Sequence, residues 1–193
     1  MSSVRKEFLP RSTEKGQVSW TGGIWILLFL TIVLSGCLQV ALFRCSSQYL
    51  EDALAASNLA AAVIDVEEYG TTHMIKLEDC ETVYQRFRSA LRENLNLDDN
   101  WECPNKGLIS GAVTVERFIV YEVNDREVFV LENDLNGGVS ESRGVLGEVC
   151  APNGKQIEST GIYSAISCPV KGLFSLEARA YKSQLVDIIS CEN

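Results

Sequence analysis

Between Gly16 and Phe43 the chain carries no charged side chain, and from Ile24 to Phe43 nearly every position is apolar. A helix of those 20 residues rises about 30 Å, the thickness of a bilayer's hydrocarbon core. The pattern predicts a cytoplasmic tail over 1–19, a transmembrane helix over 20–43 and an extracytoplasmic domain over 44–193. Directly after the apolar run, positions 53–62 hold six Ala, the best helix former. Nothing in the stretch breaks a helix before Gly70. One nearly continuous helix is therefore expected from Trp20 to Glu68.

A second helix is expected from Leu77 to Asn94. Cys80, Val83, Tyr84, Phe87, Leu91 and Leu95 recur at three- and four-residue spacing, which makes one apolar face. Arg86, Arg88, Arg92 and Glu93 fall on the other side, and Asp79 is placed to cap the start. Asn96 to Gly107 reads as a loop.

The pattern then turns to β. Val113–Val123 and Arg126–Leu131 flank Asn124-Asp125 and read as a hairpin. Glu132–Gly138 and Ala151–Gly154 read as turns, and Gly144–Cys150, Gly161–Val170 and Leu173–Ile189 as strands. Helices followed by strands make an α+β domain with an antiparallel sheet.

Charge sharpens the topology. Arg5, Lys6, Arg11 and Lys15 against Glu7 and Glu14 give the tail a net +2, while the chain from Arg44 onward is −11. Positive charge resists translocation, so the N-terminus is expected inside and the domain outside. Trp20 and Trp25 suit the inner interface. The acidic domain argues against nucleic acid and against docking on anionic lipid. Leu34-Ser-Gly-Cys37 resembles a bacterial lipobox. The apolar run nevertheless continues through Phe43, so a retained helix is expected rather than a lipidated Cys37.

Of seven Cys, Cys37 lies in the apolar run and Cys45, Cys80, Cys103, Cys150, Cys168 and Cys191 lie beyond it. An even number outside the cytoplasm suggests disulfides. Spacing relative to the expected elements points to Cys80–Cys103 and Cys150–Cys168, leaving Cys45 and Cys191. There is no CxxC and no His at metal-binding spacing, so neither a zinc site nor any other cofactor is expected.

Catalytic patterns are sparse. His73, the one histidine, sits in a polar connector without a visible nucleophile partner. The acidic pairs Glu67-Glu68, Glu78-Asp79 and Asp98-Asp99 suit caps and solvated surfaces better than acid–base work. Glu132-x-Asp134-x-Asn136-Gly137 imitates the start of a calcium loop, but the twelfth position is Arg143 where a bidentate acid is needed. A β-turn is expected there. Thr31, Ser35 and Gln39 instead form a small, polar stripe at four-residue spacing along the apolar helix. Ala53, Ala56 and Ala60 continue a small surface beyond it. Such positions allow close helix–helix contact.

Glu14-Lys15-Gly16-Gln17-Val18 before the apolar helix resembles the start of TadE/TadG-like pilus-assembly membrane proteins. The Ala-rich Asp52–Ala62 resembles the segment those proteins carry after it. The resemblance covers roughly residues 11–66. It implies a pilin-like architecture and a structural or assembly role in a bacterial surface-appendage or secretion system. Pilin-type members carry Glu at the fifth position after the leader Gly, where this chain has Thr21. Processing at Gly16 is therefore not expected. The expected partners are membrane lipid and other membrane or pilus-assembly proteins, with self-association as one form. The competing expectation is a single-pass, membrane-anchored extracellular binding module; an anchored enzyme has less in the sequence to support it.

Overall fold

The structure, a computed structural model, describes residues 13–72, 75–104 and 107–188. His73, Cys191 and the charged residues of the first twelve positions lie outside the described residues. The chain divides into two compact units, residues 1–41 and 42–193.

Helix α1 runs Thr13–Ala61. Within the first unit its apolar side chains point outward: Trp20, Trp25 and Ile32 are 73, 72 and 70% exposed. A helix that is hydrophobic all round and uncovered by protein matches a lipid environment. This helix is long and apolar enough to cross a membrane.

The helix stops at Ala61, short of the expected Glu68. No Gly or Pro ends it; tertiary pairing does. Ile64 bridges Leu77, and the Asp65 amide donates to the Lys76 carbonyl. Asp65 then turns its carboxylate onto the Glu67 amide at 3.0 Å and opens a separate short helix, α2, Val66–Thr72.

Helix α3 spans Cys80–Asn94 and is capped by Asp79, whose side chain accepts from the Glu81 and Thr82 amides. The expected apolar face is the buried one, from Cys80 to Leu95.

Five strands follow, β1 Thr114–Asn124, β2 Glu127–Asn133, β3 Val139–Val145, β4 Gly161–Lys171 and β5 Glu177–Asp187. They form one antiparallel sheet in the order β3-β2-β1-β4-β5. The first hairpin turns at Asp125-Arg126, one residue later than expected, with Asn124 paired to Glu127. Leu173–Ser175 forms a short 3₁₀ turn, so β5 starts after it. The expected strand Gly144–Cys150 is replaced by β3, which ends at Val145.

Side chains alternate between the two faces of the sheet. One face, carrying Phe118, Val120, Ile162 and Ile166, packs against α3 and against Leu50, Leu54 and Ala61 of the last part of α1. Tyr84, Phe87 and Phe118 meet there with ring centroids 5.0–6.5 Å apart, the range of favourable aromatic contact. The other face, carrying Ile119, Tyr121, Tyr163 and Leu185, is covered by the β3–β4 connection through Leu146, Val149, Ala151 and Ile157. Strand β4 is thus buried on both sides over Gly161–Cys168. Gly161 is needed where it stands: a Cβ there would sit 2.5 Å from the Val186 carbonyl oxygen.

One polar lock fixes α1 in this core. Asn58, fully buried, donates to the Gln184 carbonyl at 3.1 Å and the Ile162 carbonyl at 3.5 Å. Its Oδ1 accepts from the Ser164 hydroxyl at 2.7 Å. Buried amides are stable only when satisfied in this way. At the edges of the same helix, Asn94 donates to the Ser57 hydroxyl at 3.0 Å and Lys182 pairs with Glu51 at 2.6 Å.

Candidate functional site

The residues expected to form a helix–helix surface differ in their exposure and local contacts. The Thr31 hydroxyl donates to the Leu27 carbonyl of its own helix at 2.8 Å, a common way to satisfy Thr within a helix. Ser35 and Gln39 are half-buried. Ala53 packs into the domain's own core, so it does not belong to an open surface with Ala56 and Ala60. Those two are exposed. Ala60 lines a shallow groove of about 520 Å³ with Ser89 and Ala90 of α3.

The six described cysteines are free thiols, and the pairs expected from spacing are not made. Cys80 begins α3, and Cys103 lies beyond the loop at its far end, after a helix of 15 residues that spans about 22 Å at 1.5 Å per residue. Bridged Cα atoms lie within about 7 Å of each other. Cys168 points into the core on the helix side of the sheet, whereas Cys150 is exposed in the connection that covers the opposite face. Burial pushes the Cys80 thiol up to about 12, with Glu81 and Asp79 adding to the effect, and the Cys168 thiol up to about 11. Both are protonated at neutral pH and poorly nucleophilic.

The acidic motifs are closed on their own backbone. Asp134 accepts from the Gly138 amide at 2.6 Å and the Asn136 amide at 2.9 Å, and these bonds hold its carboxyl below the ordinary range. Glu132 pairs with Arg117 at 2.8 Å. The calcium-like stretch is a turn between β2 and β3, as its sequence suggests. Asp98 accepts from the Asn100 and Glu102 amides, and Asp99 pairs with Arg92.

The sheet also carries a groove that no single segment announces. It lies between residues 75–81 and strands β1–β3 and holds about 690 Å³. Its floor includes Phe129 and Leu131 of β2, and Val139 of β3 stands at its outer side. The Arg143 guanidinium covers the Phe129 ring at 4.8 Å. Six carboxylates line it: Asp65, Glu78, Asp79, Glu81, Glu122 and Glu141. Among the described residues Lys76 is the lining cation, and Arg143 pairs with Glu141 at 3.3 Å.

No known family model, curated protein or solved structure matches this chain. The reading of the groove therefore rests on its own chemistry.

A helix N-terminus ordinarily attracts anions. Here α3 points its first turn at the groove, but Asp79 already occupies its amides. The Thr82 hydroxyl and amide, with the Glu81 amide, hold that carboxyl below its ordinary range. Glu78 is tied to Arg86 at 2.9 Å. Glu81 is fixed between Gln85 at 2.7 Å and Asn133 at 2.8 Å. Cys80 turns its thiol toward the Leu131 carbonyl, with the sulfur 3.8 Å away. The result is a rim of carboxylates held by their own neighbours, over an apolar floor whose Phe129 ring lies under Arg143. The one sign of it in the sequence is the pair Glu78-Asp79; the strand residues that complete the lining lie up to 63 positions later.

Proposed function

We propose that this protein is a membrane-anchored structural or assembly component, of the minor pilin-like or TadE/TadG-like kind, in a bacterial surface-appendage or secretion system. The observation that carries the reading is the dual use of α1. Its early turns present uncovered apolar side chains, while Leu50, Leu54 and Asn58 of its last turns are core residues of an antiparallel α+β domain. A soluble domain has no use for the first part, and a simple anchor has no use for the second. The resemblance of residues 11–66 to TadE/TadG-like proteins points the same way. On this reading the tail over 1–19 is cytoplasmic, the helix over 20–43 spans the membrane and residues 44–193 lie outside. The protein then works by contact rather than catalysis.

Protease added to intact protoplasts should remove the outer domain and leave the helix with the membrane pellet; full protection would refute the topology. For the assembly role, Gln39→Leu and Ala60→Phe are the informative variants. The first removes a polar contact worth about 1 kcal/mol in a bilayer, and the second blocks close approach at an exposed position. Unchanged copurification of membrane partners and unchanged appendage assembly in both would reduce the helix to an anchor. The groove supports a second reading, a membrane-anchored extracellular binding module. A domain that binds its partner normally in an appendage-deficient background would place that reading first.

A further inference from the structure

We propose that the tip of the β4–β5 hairpin, Phe174 with Leu176, dips into the outer leaflet of the membrane as a second lipid contact of this protein. The inference rests on the reading of residues 20–43 as a spanning helix and goes beyond it.

The first observation is placement, and it comes from contacts within the second unit. Asn58 reaches the Gln184 carbonyl of β5 at 3.1 Å, and Glu51, earlier in α1, pairs with Lys182 at 2.6 Å. The last part of α1 and strand β5 therefore run in the same direction. From Glu51 back to Leu42 the helix covers about 14 Å. From Lys182 back to Glu177 the strand covers about 17 Å. The hairpin turn thus stands at the end of the domain where the chain enters from the apolar run, which closes at Phe43. Phe43 itself packs against the helix-side core, so this end of α1 is held to the domain.

The second observation is the turn. Phe174 is 83% and Leu176 57% exposed. Phe174 also holds φ 56° and ψ 31°, the left-handed region that suits Gly and strains a bulky side chain. The domain gains little burial from this ring, so nothing inside the fold accounts for a Phe there. The Gly172 amide donates to the Leu176 carbonyl at 2.7 Å, and the Leu176 amide to the Leu173 carbonyl at 3.1 Å. These bonds close part of the turn's backbone on itself, which lowers the cost of taking it out of water.

Charge and area favour lipid over protein. Lys171 stands opposite Glu177 in the sheet register. Arg179 pairs with Glu116 at 3.4 Å, and Lys182 with Glu51. The hairpin's charges are matched nearby, so the contact is apolar and needs no anionic headgroup. A Phe buries about 150–250 Å², so the tip falls far short of the roughly 1,200 Å² of a stable protein interface. A tip tethered to a membrane helix needs no such area, because the helix already holds it at high local concentration beside the lipid.

The test uses full-length protein in nanodiscs of phosphatidylcholine loaded with single copies, and fluorine NMR of a trifluoromethyl-phenylalanine placed at one position at a time. The label in place of Phe174 should lose its signal to a nitroxide carried high on the lipid acyl chain and keep it with a water-soluble gadolinium chelate. A label in place of Asn153 should show the reverse: Asn153 is exposed, and its neighbour Lys155 pairs with Asp187 at the opposite end of β5. A label in place of Phe29 should respond to the lipid nitroxide. Phe174→Gly suits the backbone and should leave the domain as resistant to proteolysis as before, while a label in place of Leu176 moves from the lipid nitroxide's reach into the chelate's. A Phe174 label that answers the chelate and not the nitroxide would overturn the proposal, with the Phe29 label still reporting a membrane helix. Loss of the lipid response at both positions would overturn the spanning reading as well. Protection from both agents would assign the tip to a protein contact instead, and unfolding by Phe174→Gly would show that the ring serves the fold; either result overturns the proposal.

Discussion

Replacing Asn58 by Ala tests whether the last turns of α1 belong to the folding unit of the sheet. The amide makes two bonds of good length, 3.1 Å to the Gln184 carbonyl and 2.7 Å from the Ser164 hydroxyl. Each is worth about 1–1.5 kcal/mol net. The substitution also deletes three heavy atoms from a fully buried site, adding about 1 kcal/mol for the void. The expected loss is about 3 kcal/mol, a large share of the roughly 5–15 kcal/mol that holds a domain together. Asn58→Leu fills the space but leaves the buried Ser164 hydroxyl without its acceptor, so it should be no milder. Ser164→Ala alone should cost about 1 kcal/mol, and the double variant should show a coupling energy of similar size. Pulse proteolysis of full-length protein across a urea series reads the stability of the outer domain. If Asn58→Ala stays within about 0.5 kcal/mol of the parent, as a surface substitution would, α1 is not locked to the sheet through this residue.

Three further outcomes follow from the same structure. Alkylation of native protein at pH 8 should modify the exposed Cys45 and Cys150 and spare the buried Cys80 and Cys168, whose thiols are held far above that pH; unfolding without reductant should release them, and bridged cysteines would remain unreactive. Asp79→Ala should cost about 1 kcal/mol as a lost helix cap. Because the folded-state pKa of Asp79 lies below the ordinary 3.8, its contribution is full above about pH 4 and is lost as the pH falls through the folded value; an Asp79→Ala deficit that persists undiminished at pH 2 would contradict this. Gly161→Ala should destabilise by about 1–3 kcal/mol, because its methyl meets the Val186 carbonyl backbone rather than a movable side chain; deprotection of β5 amides in hydrogen exchange would locate the damage.

The helix α3 was readable because its apolar residues obey one period and its cap is a single Asp. Strand β3 was not, because Ser140, Glu141, Ser142 and Arg143 form a polar edge with no alternation to detect. The end of α1 was hidden for a different reason. Ala-rich sequence favours continuing the helix through Ala62, and the Ile64–Leu77 pairing that stops it depends on a segment thirteen residues away. Cysteine spacing failed because pairing depends on which face of the sheet a residue occupies, and Cys150 and Cys168 differ in that respect. The groove draws on α3's lead-in and three strands, so only its Glu78-Asp79 rim had a local signature.

The Asn58 lock joins a residue near the end of the first helix to acceptors 104 and 126 positions later. During synthesis α1 emerges first and β5 last, at about 5–20 residues per second. For several seconds the buried face of Leu50, Leu54 and Ala61 has no sheet to rest on, and an apolar helix face in that state is open to capture by other chains. Truncation before β5 should therefore leave the stretch Leu50–Ala61 without part of the surface that covers it.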